Sequence, residues 1–199
     1  MLAGVALAAG AVALARRPPS WWAPVERDAP GALETARALE QGIASETSRV
    51  RGPGETEWSV RVRAADVNAW LGARLPQWLE FDRSLPWPAG VGSVQVMVDP
   101  AGAALAADWN GFVVVTRWEV EPGAGGGPAT LRAAGTSVGR LPVPFAAGVG
   151  AWFVPELARP LPLRARLGDG REVSVVDVEF GDGEAIVDCA TAAGGAGPR

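Results

Sequence analysis

Residues 58–81, "WSVRVRAADVNAWLGARLPQWLEF", change period halfway, and that change decides the fold class. Trp58, Val60 and Val62 alternate with Ser59, Arg61 and Arg63, the two-residue period of a strand with one wet face. From Val67 onward, Trp70, Leu71, Leu75, Trp78 and Leu79 recur at three and four, the period of an amphipathic helix. Asp66 falls in the first helical turn, where a carboxylate complements the helix dipole, and with Asn68 it reads as helix-start capping. Pro76 has no amide hydrogen to give, so a kink or a second short helix is expected at "PQWLEF". The stretch carries three of the nine tryptophans, and the question is what so much aromatic surface packs against.

Downstream the pattern is strand after strand. "SVQVMVD" places Val94, Val96 and Val98 on one face, "AALAADW" runs into Asn110-Gly111, a two-residue hairpin signal, and "FVVVTRWEVEP" sets Phe112, Val114, Trp118 and Val120 on one face. "GAGGG" lacks the strand-to-helix context of a phosphate loop and reads as a flexible turn. "ATLRAAGTSVGRLPVP" returns, "FAAGVGAWFVPELARPL" is apolar enough for a helix ended by a proline, and the chain closes in a hairpin about Asp182-Gly183. Upstream, Leu33, Ala36, Leu39, Ile43 and Val50 form a helical stripe in residues 31–50. The expected fold class is therefore α+β: a curved, mostly antiparallel sheet wrapping one or two helices, in a single domain over residues 30–190 with a disordered tail at 191–199.

Residues 1–15, "MLAGVALAAGAVALA", are apolar and small throughout, and "RRPPSWWAP" follows. As a helix the run reaches about 22 Å, short of the ~30 Å hydrocarbon core. A cleaved signal segment, a core helix and a membrane anchor all compete for it. The anchor is preferred, giving a 1–22 membrane segment, because Pro18 and Pro19 stop the helix and Trp21 and Trp22 suit an interfacial aromatic belt. The expected location is a bacterial inner membrane, single-pass, with the domain extracytoplasmic. Arg16 and Arg17 pull the other way, since basic flanks favour the cytoplasmic side, so this orientation needs a basic segment upstream.

Composition narrows function chiefly by exclusion. The net charge of −4, with no basic excess, argues against nucleic acid as a partner. The cations are all Arg; Lys, His and Tyr are absent. That removes Ser-His-Asp and Cys-His nucleophile pairs, His-ligated zinc, Schiff bases and P-loops. Cys189 is the single cysteine and reads as an inert, half-buried thiol, so neither an intrachain disulfide nor a Cys-cluster metal site is open to this chain. Glu80 and Asp82 are a conceivable carboxylate pair, but they flank a Pro/Trp loop and read as a solvated helix end. No enzyme activity, cofactor or metal is expected.

The element order resembles the YpmS-like family of membrane-anchored bacterial envelope proteins, similar in turn to the tubular lipid-binding (TULIP-like) fold. Two stretches carry the likeness: "VRVRAADVNAWLGARL" (Val60 to Leu75), a strand followed by an acidic-hydrophobic-Asn helix start, and "VGRLPVP" (Val138 to Pro144), a Gly-basic-Leu-Pro-x-Pro corner. The resemblance implies an envelope, lipid-associated module. Combined with the rule that ligand pockets are apolar and aromatic, it makes Trp70, Leu75, Trp78, Trp109, Phe112, Trp118 and Trp152 candidates to line an acyl-chain groove. Two other accounts stand beside it: the tryptophans fill an ordinary core, or they present an aromatic surface to a protein partner in a structural or assembly role.

Overall fold

The computed structural model describes residues 2–49, 56–81, 89–143, 160–167 and 170–192, beginning with two helices, α1 (Leu2–Arg16) and α2 (Ala32–Ser48). The change of period falls where the sequence puts it. β1 (Glu57–Arg63) alternates in exposure residue by residue and runs without a loop into α3 (Ala64–Ala73). Only Arg74 separates α3 from α4 (Leu75–Phe81), so Pro76 sits in the first turn of a new helix, where its missing N–H is tolerated.

The strands that follow are β2 (Val91–Asp99), β3 (Gly102–Trp109), β4 (Phe112–Glu121), β5 (Thr130–Val138), β6 (Leu141–Pro142), β7 (Leu161–Pro162), β8 (Arg164–Arg166), β9 (Glu172–Phe180) and β10 (Glu184–Ala192). Both predicted tight hairpins are present. Asn110 and Gly111 take φ of 52° and 82°, the left-handed pair that a twisted two-residue turn requires, and Gly183 takes 77° between β9 and β10. "GAGGG" holds a short 3₁₀ turn, Ala124–Gly126. The apolar helix expected near residues 145–158 and residues 193–199 of the expected tail lie outside the described residues, while Thr191 and Ala192, placed in that tail, end β10 and pair with Val173 and Glu172.

The α+β class and the antiparallel pairing are as expected; the single sheet is not. Strands order as β1-β10-β9-β8 in one sheet and β2-β3-β4-β5-β6 in another, with β7 also on β5. The division has a local cause at the outer edge of β2. The Asn68 carboxamide donates from Nδ2 to Val96 O at 2.8 Å and accepts from Val96 N at 2.7 Å, while Gly183 N donates to Val98 O at 3.1 Å. An edge whose groups are already paired cannot take up β1. Asn68 therefore closes a sheet edge instead of capping its helix, whose start has no side-chain cap; Asp66 does occupy the first turn. Elsewhere the sheets are joined by Ala129 N donating to Val175 O at 2.6 Å. In the first sheet Trp58, Val60 and Val62 oppose Cys189, Val187 and Ala185 on one apolar face, and Ser59 and Arg61 oppose Asp188 and Ile186 on the other.

Residues 17–29 form a strap that explains the alanines of β3. Trp21 and Trp22 lie on Ala104, Ala106, Val113 and Val115, with Met97 beside them. Larger side chains on β3 would leave no room for the two indoles. The buried Gln95 fastens the strap by accepting from Ala23 N at 2.7 Å and donating to Trp21 O at 3.0 Å. Farther on, the Val25 carbonyl rests where a Cβ on Gly72 would stand, and Val25, Ala29 and Leu33 pack on Ala32, Ala69 and Ala73. The two tryptophans expected at a membrane interface are thus half-buried lids on the sheet.

α1 leaves this body at the Gly-Arg corner. Gly139 (φ 56°) lies so close beneath α1 that a Cβ there would stand 2.6 Å from Arg17 O and 2.7 Å from Leu14 O. Arg140 N donates to Leu14 O at 3.0 Å and Arg140 Nε to Pro18 O at 3.1 Å, so the corner is hydrogen-bonded both to the last turn of α1 and to the start of the strap. Beyond it α1 is apolar, and residues 8–16 are largely exposed, Val12 at 54% and Leu14 at 42%. No helix among the described residues is long and apolar enough to cross a membrane.

Candidate functional site

Among the described residues, the apolar stripe of α3 and α4 borders a cleft of about 410 Å³, within the ~300–1,000 Å³ typical of small-molecule sites. Leu71, Leu75 and Leu79 recur every four residues and form one wall; Val25 of the strap and Val94 of β2 form the other. Gly72 brings the strap's backbone onto α3 and Gly92 lets β2 pass without a side chain, so the space is bounded closely by main chain. At the rim Arg27 Nη2 meets Glu80 Oε1 at 3.1 Å. Both side chains are more than half exposed, 53% and 62%, so the pair contributes at most about 1 kcal/mol and can open without much loss.

Hydrogen-bonded ion pairs tie α2 to α3 and β2 to β4. Glu40 of α2 accepts from Trp70 Nε1 at 2.8 Å and from Arg74 Nε and Nη2, each at 3.1 Å. The Arg74 hydrogen bonds first, then that from Trp70, hold the Glu40 carboxyl below its ordinary range. On the second sheet Arg117 makes a two-pronged pair with Asp99, 3.1 and 2.8 Å, which lowers the carboxyl and raises the guanidinium. A second cleft of about 710 Å³ separates α2 from β1; Leu39, Ile43 and Val60 share its lining with Arg61 and Asp66. Among the described residues no group of three potential metal-binding side chains gathers, and Ser93 is the lone hydroxyl lining the α3–α4 cleft.

Of the seven residues singled out for a groove, the six that are described are not brought together. Leu75 lines the cleft; Trp70 turns to Glu40 on α2; Trp78 stands 52% exposed on α4. Trp109 and Phe112 oppose each other, half-buried, across the β3–β4 hairpin. Trp118 is buried, 6% exposed, six residues farther along β4, about 20 Å away at strand rise. Trp152 and Asp82 lie outside the described residues. Aromatic content pointed away from the cleft because an indole N–H seeks an acceptor, as Trp70 finds in Glu40. The signal that does mark the wall is aliphatic: Leu71, Leu75 and Leu79 on one stripe. Val25, Gly72 and Gly92 carry no such mark, since their part depends on where a distant segment crosses.

Comparison with family models, with curated proteins and with solved structures finds no match for this chain.

Proposed function

We propose that this is a membrane-tethered bacterial envelope protein that binds or shields a lipid-like apolar ligand without chemical turnover, and that the α3–α4 cleft holds the ligand's acyl chain. The observation that carries the reading is the cleft itself: an aliphatic wall, a volume of about 410 Å³, and charge limited to Glu26 and the exposed Arg27–Glu80 pair. Each methylene it takes from water is worth about 0.8 kcal/mol, so a chain of a few carbons suffices for measurable binding. The tether is α1, an apolar helix whose exposed Val12 and Leu14 have no cover among the described residues. Its seat on the "VGRLPVP" corner is consistent with membership of the YpmS-like, TULIP-like group and with a single-pass inner-membrane location, the domain extracytoplasmic.

Native mass spectrometry of the full chain, purified from its membrane fraction, tests this. A lipid-sized adduct is expected, and Leu75→Trp, which fills the cleft with apolar volume, should abolish it while the protein stays folded. An adduct-free wild type, or an undiminished adduct in a folded Leu75→Trp variant, overturns the cleft assignment.

One observation favours a second reading, a structural subunit that meets a protein partner. Trp78 and Phe81 stand on α4 with 52% and 92% of their surfaces exposed, and large aromatics are enriched where proteins meet. Under that reading Trp78→Ala and Phe81→Ala together break a complex and leave any lipid adduct intact.

A further inference from the structure

The strap, the second sheet and the Gly-Arg corner border a second, open space that the cleft reading does not use. It measures about 380 Å³, and Trp21, Met97, Arg117, Ser137 and Arg140 are among the residues around it. Two of its groups are already committed: Ser137 Oγ donates to Gly139 O at 3.2 Å, and the Arg117 guanidinium is offset by Asp99. Arg140 is not. Its Nε is used on Pro18 O, its two Nη groups make no hydrogen bond among the described residues, and it belongs to no ion pair there. Arg16 and Arg17, exposed at the end of α1, likewise have no carboxylate partner among the described residues.

Arg140 therefore brings an uncompensated guanidinium to this space, at the level where the apolar helix ends. Its bonds to Leu14 O and Pro18 O fix it to the stretch of chain that carries Arg16 and Arg17. With α1 in a bilayer, that level is the depth of the lipid phosphates, and a guanidinium fork matches phosphate oxygens in shape and charge.

We infer that the space beside the Gly-Arg corner is a site for the phosphodiester headgroup of an anionic lipid, held by Arg140, with Arg16 and Arg17 in the adjoining chain adding positive charge. The inference rests on the membrane tether proposed above and is separate from the α3–α4 cleft.

The test uses the full chain in detergent with equal amounts of phosphatidylglycerol and phosphatidylcholine, read by native mass spectrometry. Phosphatidylglycerol adducts should exceed phosphatidylcholine adducts about fivefold, the weight of roughly one basic residue near an anionic surface. Arg140→Gln should erase the preference and Arg140→Lys should keep part of it; thermal melts verify that each variant folds. Displacement of phosphatidylglycerol by inorganic phosphate at comparable concentration would reassign the site to free phosphate. Equal adducts of the two lipids, or a preference that survives Arg140→Gln, overturns the headgroup site alone. Protein that stays in the aqueous phase without detergent and carries no lipid overturns the tether, and this inference with it.

Discussion

Replacing Asn68 by alanine should unfasten the free edge of β2. The wild-type carboxamide makes two bonds to one residue, 2.8 Å to Val96 O and 2.7 Å from Val96 N, each worth about 1 kcal/mol net. Losing the carboxamide also strands the Val96 N–H and C=O at a half-buried edge, adding about 1–2 kcal/mol that entering water reduces. Alanine is the better helix former by up to ~0.7 kcal/mol, which offsets part of the loss. The net expectation is about 2–3 kcal/mol of destabilisation. Two readings of one sample check it: urea melts of the full chain, and amide exchange at Val96, which should accelerate roughly 30- to 150-fold if opening tracks that free energy. A melt within about 0.5 kcal/mol of wild type, with Val96 still slow to exchange, would refute the claim that a side chain closes this sheet.

Gly139→Ala should cost at least about 2 kcal/mol, since a Cβ at φ 56° would stand 2.6 Å from Arg17 O; circular dichroism melts follow it, and an unchanged midpoint would show that α1 is not seated there. Trp21→Ala should cost about 2–3 kcal/mol by uncovering Ala104 and Val113, and a fragment starting at residue 30 should be less stable still; equal urea midpoints for fragment and full chain would contradict a structural strap. Acid should weaken the fold through Glu40 and Asp99. Their folded-state pKa values lie below the ordinary 4.5 and 3.8, so their contribution is whole above about pH 5 and is lost as pH falls through the depressed values. Glu40→Gln and Asp99→Asn should each flatten the acid limb of a stability-versus-pH curve, and limbs parallel to wild type would count against both pairs.

The parts of the fold set by short-range rules were legible in the residues. The alternation ending at Arg63 gave β1 and the three-and-four spacing after it gave α3; Asn110-Gly111 specifies a left-handed pair that few other residues accept, and Gly183 supplies the left-handed residue of the β9–β10 turn. What stayed hidden depends on segments far apart in the chain. Asn68 looks like a helix-start residue until β2 is seen beside it. The small side chains of Ala104 and Ala106 look like a weak strand until two tryptophans from the N-terminal strap are laid over them. The candidate site follows the same division. Its leucine wall is written in one stripe, whereas the opposite wall exists only because Gly72 admits the backbone of Val25. The aromatic residues misdirected the search because their burial is decided by polar partners and by cross-strand neighbours, as at Trp70 and Trp109.

The most direct test of the cleft is chemical mapping of what touches an acyl chain. Full-length protein in vesicles containing a phospholipid with a photoactivatable diazirine near the end of its acyl chain would be irradiated, digested and read by peptide mass spectrometry. Adducts should fall on peptides holding Leu71, Leu75 and Leu79, on Val25 and on Val94, as well as on α1, and Leu75→Trp should remove those of the cleft while sparing α1. Label confined to α1, or cleft label unaffected by Leu75→Trp, would contradict a lipid-holding role for the cleft.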